Sequence, residues 1–277
     1  MALSQLRSAD IACSIAGRKQ VTELVQIEQD GAIAVLTLND PPKRNAFSKA
    51  MRETIFAALN QLNADSACRA IIITGAEGTF CSGGDISEME TRTQLVSRER
   101  LVVTTDLARL MLTGPKPIVA AVEGAAMGAG LGMAAACDYV VCADDARLAC
   151  AFLRVGLLPD FCAYWTIPRR VGLAKAQELI GLARTIDAAE AHRIGLVNEV
   201  VSAGTALNRA RAVAAEYAAM PPVPAAALRG ALAEGFASLE AAIQYELVAQ
   251  PLIQRTFDHQ EAVASFREKR KPVFKGD

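Results

Sequence analysis

Residues 117–132 read Pro117-Ile-Val-Ala-Ala-Val-Glu-Gly124-Ala-Ala-Met-Gly128-Ala-Gly130-Leu-Gly132. A short apolar run closed by a glycine cluster is the pattern of a buried strand feeding a tight turn. The same unit occurs upstream. Arg69-Ala-Ile-Ile-Ile-Thr74 ends at Gly75 and leads into Gly78-Thr-Phe-Cys-Ser-Gly83-Gly84-Asp85-Ile86. Each cluster is expected to precede a helix. A strand–glycine–helix junction leaves N–H groups unpaired, and glycine lets a ligand approach the backbone. Two such junctions side by side would aim two N–H groups at one oxygen, an oxyanion hole. Tight turns and close packing alone would also explain these glycines. A dinucleotide loop is the other alternative, but Gly128, Gly130 and Gly132 give GxGxG rather than GxGxxG. The next strand also follows too soon for a crossover helix.

Outward from these units, strands and helices alternate. Leu24-Val-Gln-Ile27 and Ala32-Ile-Ala-Val-Leu36 flank Asp30-Gly31, a hairpin signal. Ser48 is the expected N-cap of a helix whose apolar stripe is Met51, Ile55, Leu59 and Leu62. Tyr139-Val-Val-Cys142 reads as a further buried strand. The fold class is therefore α/β. After residue 201 the chain turns Ala/Leu-rich, with helices expected at 206–219, 225–236 and 239–249. The organisation read from this is an N-terminal arm (1–20), a core carrying the site (21–201) and a C-terminal helical region (202–277).

Among 277 residues, 52% are apolar and the net charge is −1. That balance gives no basic surface for nucleic acid and no stretch suited to a bilayer. The seven cysteines follow no framework spacing, which fits a reducing, cytoplasmic setting. Two histidines and no CxxC pair argue against a zinc site. The first residues lack the apolar core of a signal peptide.

Five segments in order resemble the enoyl-CoA hydratase/isomerase (crotonase) family: Asn39-Asp-Pro-Pro-Lys-Arg-Asn45-Ala46-Phe47, Phe80-Cys-Ser-Gly-Gly-Asp85-Ile86, Pro117 through the glycine run, Ala191-His-Arg-Ile-Gly195-Leu-Val197, and Phe266-Arg-Glu-Lys269-Arg-Lys-Pro-Val-Phe274. The resemblance spans about residues 22–275. It implies a spiral of ββα repeats with a C-terminal helical trimerisation region, in trimers or dimers of trimers. It implies an acyl-CoA thioester as substrate, with coenzyme A entering as part of that substrate and no permanently bound cofactor. By position, Gly84 and Ala129 would supply the two oxyanion N–H groups. Arg44, Ala46, Cys81, Gly83, Asp85 and Ile86 would line the CoA site. Phe266 and Lys269 would reach the CoA of a neighbouring subunit.

Hydratases of this family use two glutamates. This chain has Gly132 and Phe152 at those positions, and neither can transfer a proton. What remains is Asp160, eight residues past Phe152, where some members carry a working aspartate. The stretch from Phe152 to Asp160, with Trp165-Thr-Ile-Pro168-Arg169, is most similar to the epoxyphenylacetyl-CoA isomerase branch, itself similar to enoyl-CoA isomerases. That branch's Gly-Gly after the aspartate is Cys162-Ala163 here. Tyr164, Phe152 and Gly132 are expected in the substrate pocket. One carboxylate suffices for isomerisation, and an apolar wall would raise its pKa. The structural alternative for Asp160 is an N-cap of the following helix. A hydratase or hydrolase with another acid–base pair, drawing on Glu88 or Glu90, is a second reading. A non-catalytic acyl-CoA binder is a third.

Overall fold

The structure, a computed structural model, describes residues 18–89 and 93–277. The first part of the chain gives β1 (Arg18–Val21), β2 (Val25–Asp30), β3 (Ile33–Leu38), α1 (Lys49–Ala64), β4 (Ala70–Gly75) and α2 (Gln94–Thr113). Next come β5 (Ile118–Val122), β6 (Ala125–Met127), α3 (Ala129–Ala135), β7 (Tyr139–Ala143), β8 (Arg147–Ala149), α4 (Ala163–Val171) and α5 (Leu173–Leu182). The remainder is β9 (Ile186–Asp187), α6 (Ala188–Arg193), β10 (Glu199–Val201), α7 (Ala206–Ala218), α8 (Pro222–Glu234), α9 (Leu239–Ile253) and α10 (Phe257–Glu268).

Seven strands form one sheet in the order β1-β2-β3-β4-β5-β7-β10, and β6, β8 and β9 form a smaller one. The pairing is antiparallel through β1, β2 and β3 and parallel from β3 to β10. The hairpin at Asp30-Gly31 is present, with Asp30 opposite Ile33. Residues 1–17 of the expected arm lie outside the described residues. From Arg18 onward the arm is an edge strand paired with β2.

The continuous apolar runs of β4 and β5 have a simple cause: the sheet is covered on both faces. Ile71, Ile73, Ala120 and Val122 point into the larger core with α1, α2 and α3. Their alternates Ala70, Ile72, Val119 and Ala121 meet Ala206, Ala210, Val213 and Ala214 of α7. The first helix of the C-terminal region thus belongs to the core. Small alanines let α7 lie close to the sheet. In α8 and α9, by contrast, Leu228, Leu232, Leu239, Leu247, Val248 and Leu252 are exposed.

Helix α1 forms as its sequence requires. The Ser48 side chain accepts the Met51 N–H at 3.1 Å, and Met51, Ile55, Leu59 and Leu62 are buried. α8 begins at Pro222, earlier than expected, because proline is tolerated in the first turn, where its missing N–H has no intrahelical acceptor. α9 likewise extends to Ile253.

One expectation needs correction, and one alternative is removed. The first glycine cluster leads not into an α-helix but into a single 3₁₀ turn, Ile86–Glu88. Asp85 is the N-cap of that turn, its carboxylate accepting both the N–H and the hydroxyl of Ser87 at 2.9 and 2.6 Å, and the backbone leaves helical geometry at Met89. Nor is Asp160 the cap of α4. The N-cap is Cys162, and only the Asp160 carbonyl is engaged, accepting the Ala163 N–H.

Candidate active site

The two glycine clusters come together. Cys81 bridges to Ala126 by donating to the Ala125 carbonyl at 2.9 Å and accepting the Met127 N–H at 3.0 Å. Close approach then depends on absent side chains. A Cβ on Gly83, whose φ is +97°, would meet the Met127 carbonyl oxygen at 2.8 Å. One on Gly130 would meet Cys81 O at 2.6 Å. Gly84 and Ala129 follow directly from these contacts. Ala129 opens α3, so its N–H has no intrahelical acceptor. Among the described residues, the Gly84 N–H donates to no protein group. Two free backbone donors thus stand on adjoining turns, an arrangement able to hold developing negative charge on one oxygen.

The segment 39–49 is tied to the first of these turns. Phe47 N–H donates to Gly83 O at 2.7 Å, and Ser82 N–H donates to Arg44 O at 3.1 Å. Arg44 and Asn45 both have positive φ. Asn45, fully buried, holds that bend by accepting from Asp40 N–H and donating to the carbonyls of Ala76 and Thr79. Ala46 is buried beside it. Lys43 Nζ donates to Asp85 at 2.7 Å, and this bond holds the Asp85 carboxyl down to about 2. Ile86 is largely exposed at the rim. Cys81 is fully buried, and burial pushes its thiol up to about 12, so it is no nucleophile.

Asp160 approaches α3 from the other side. A Cβ on Gly132, one turn into that helix, would lie 3.0 Å from Phe161 Cβ and 3.6 Å from the Asp160 carbonyl oxygen. The Phe161 ring packs edge-on against Phe47 at 5.4 Å, and Phe47 is the β-bridge partner of Gly84. Phe161 therefore links Asp160 to both glycine turns. Phe152 lies 3.9 Å from where a Gly128 Cβ would be. The residue Asp160 is only partly buried, but its Oδ1 is fully buried and has no hydrogen-bond partner. Desolvation raises its pKa above the ordinary aspartate value, although Arg100 and Arg52 pull the other way.

Other sequence candidates fall elsewhere. Tyr164 is exposed on α4, and the aromatic packed beside Gly132 is Phe161. Glu88 accepts the Lys49 N–H at 2.9 Å with one oxygen and 3.1 Å with the other, at the start of α1. Glu90 lies outside the described residues. Phe266 is exposed near the end of α10, and Lys269 follows with φ +56°. His192 is exposed. Among the described residues no cluster of three or more His, Cys, Asp or Glu side chains could hold a metal ion. No helix there is long and apolar enough to cross a membrane.

Sequence reasoning missed Phe161, whose φ of +54° carries no local signal. It also missed Arg52, for which a signal existed: residues 52, 55, 59 and 62 share one helical stripe, so a charge there had to be buried.

A mostly parallel sheet wrapped by helices, with two free N–H groups at paired glycine turns and a carboxylate oxygen buried without a hydrogen-bond partner, defines a crotonase-fold, acyl-CoA-processing enzyme. Residues 28–277 match the Enoyl-CoA hydratase/isomerase family, and the chain belongs to it. It is 36% identical over 255 residues to a Thermus thermophilus protein whose name places it provisionally among enoyl-CoA hydratases, covering 91% of this chain and all of that one. It is 31% identical to the Escherichia coli 1,2-epoxyphenylacetyl-CoA isomerase, covering 92% and 99% of the two chains. The crystal structure of an enoyl-CoA hydratase from Polaromonas sp. JS666 superposes with a TM-score of 0.86 at 31% identity, over 90% of this chain and 99% of the other.

Proposed function

We propose that this protein isomerises an enoyl-CoA, or a related epoxy or ring acyl-CoA, with Asp160 as its single acid–base group. The observation that carries the reading is the buried, unpartnered Oδ1 of Asp160, a residue whose backbone carbonyl lies beside Gly132. In this reading the thioester oxygen accepts from the N–H groups of Gly84 and Ala129. Asp160 removes a proton from one carbon, the negative charge moves onto the thioester oxygen, and the same proton returns to a different carbon. No water enters and no second group is needed. CoA lies along Arg44, Ala46, Gly83, Asp85 and Ile86, and Phe266 and Lys269 of α10 reach a neighbouring subunit in a trimer or hexamer. The exposed leucines of α8 and α9 support such an assembly. Coenzyme A comes with the substrate and no other cofactor takes part.

The relatives' names favour a second reading, hydration. Hydration needs a further carboxylate, and Glu88 is occupied with the start of α1. A 3-enoyl-CoA and a 2-enoyl-CoA offered in parallel separate the two readings. Double-bond migration without gain of 18 Da supports isomerisation, whereas water addition to the 2-enoyl thioester replaces it with hydration.

A further inference from the structure

Among the described residues three arginines are wholly or largely buried, and two of them donate through every guanidinium nitrogen. Arg229 donates to Asp138, Gly114 O and Met111 O. Arg170 donates to the carbonyls of Ala135 and Cys137, with longer bonds to Leu196 O and Asn198. Arg52 differs. It is 2% exposed and its Nη1 donates to Phe47 O at 2.9 Å, but its buried Nη2 has no hydrogen-bond partner. Glu88 Oε2 stands 3.8 Å away, close enough to offset charge but not to accept a hydrogen bond. A buried N–H without an acceptor has lost its water and gained nothing in return, so it requires an explanation.

Its surroundings supply one. The Arg52 guanidinium lies over the Phe47 ring, 5.4 Å from its centroid, and Phe47 packs on Phe161 next to Asp160. Arg52 and Arg100 both act on the Asp160 charge, yet neither forms an ion pair with it. The two orphaned buried polar atoms among the described residues, Arg52 Nη2 and Asp160 Oδ1, therefore belong to one neighbourhood without satisfying each other. A purely hydrocarbon acyl chain would leave both unpaired.

We infer that Arg52 is a specificity-determining residue whose Nη2–H receives an oxygen carried by the acyl group beyond the thioester, so that the preferred substrates are oxygen-bearing acyl-CoAs. A carboxylate and a carbonyl each present an oxygen able to accept from this N–H, so both are accepted chemistries. The inference rests on the acyl-CoA reading above but not on the isomerase step.

The test uses saturated thioesters, which no double-bond migration consumes. Pentanoyl-CoA, glutaryl-CoA and 4-oxopentanoyl-CoA are titrated by calorimetry into the full-length protein and into Arg52→Met. The expectation is that at least one oxygenated thioester binds about tenfold more tightly than pentanoyl-CoA, the effect of one good hydrogen bond, and that the preference disappears in Arg52→Met. Glutaryl preference identifies a carboxylate, and 4-oxopentanoyl preference a carbonyl. Equal binding of all three to the unsubstituted protein overturns the inference, and this comparison holds even if Arg52→Met does not fold. A preference that survives Arg52→Met also overturns it. If none of the three binds, the acyl-CoA reading itself fails, a separate outcome.

Discussion

Phe161 occupies the space into which a side chain at Gly132 would grow, its Cβ 3.0 Å from where that residue's Cβ would stand. The position that carries a catalytic glutamate in the hydratases this chain resembles is thus closed by packing as well as empty by sequence. Gly132→Glu is accordingly expected not to create a hydratase. The added side chain requires Phe161, and with it the neighbouring Asp160, to give by a few tenths of an ångström. A loss of stability of about 1–3 kcal/mol by denaturant unfolding, with no gain in water addition, is the expected pair of results. Water addition at a useful rate in that variant would show that the site opens as Phe161 moves.

Asp160→Asn trades activity for stability. The asparagine cannot take a proton, so double-bond migration should fall by about 10²–10⁴-fold. The sign of the stability effect follows from linkage. Asp160 has a raised pKa in the folded protein, so its contribution to stability is whole below the ordinary aspartate value and is lost as pH rises through the raised one. At neutral pH the native carboxylate is a burden that asparagine removes. Melting should rise by about 2–4 °C at pH 7, for each kcal/mol relieved, and the difference from the parent should vanish in acid. An equal gain at both pH values would assign the effect to packing instead.

Much of this arrangement was legible in sequence. The continuous apolar runs of β4 and β5, the Ser48 cap and the apolar stripe of α1 are local features, and local rules find them. The two glycine clusters were visible, and so was their capacity to meet. What was not legible depended on contacts across the fold. Phe161 acts through a positive φ that no neighbouring residue signals. Asp85 caps the start of a turn that closes after Glu88, where a longer helix is expected. Arg52 was readable from spacing alone, but its unpaired nitrogen was not, because that depends on how far Glu88 and Asp160 stand from it.

The rate should depend on pH through Asp160 in its basic form. kcat/KM for a 3-enoyl-CoA is expected to rise with pH, with a midpoint above the ordinary aspartate range. Arg52, on α1, and Arg100, on α2, both hold that midpoint down. Replacing Arg100 with methionine should therefore move the limb to higher pH. A midpoint unmoved by this change would mean that another group titrates in the profile.

Asp85 is held at about 2 by Lys43 and the Ser87 hydroxyl, so the tie between residue 43 and the first oxyanion turn survives moderate acid. A depressed carboxyl contributes stability above its unfolded value and loses it as pH falls through the folded one. Asp85→Asn should weaken CoA-thioester binding about threefold to tenfold, because a charge-assisted bond that shapes the loop is gone. Titration at pH 7 checks this. The gap between variant and parent should narrow only as pH approaches 2.

Gly83→Ala tests whether close approach of the two turns is what positions the donors. Alanine at φ +97° is strained, and its Cβ would stand 2.8 Å from Met127 O, so the turns must separate. Gly31→Ala is the matched control: its φ is +56°, but nothing lies within 4 Å of the added carbon. Both variants incur backbone strain of about 1–2 kcal/mol. Only Gly83→Ala also moves Gly84 relative to Ala129, and losing one oxyanion donor costs about 10²–10³-fold in kcat. Comparable melting losses with a turnover defect confined to Gly83→Ala would tie catalysis to the spacing of these two turns. Equal turnover losses in both variants would attribute the defect to general destabilisation.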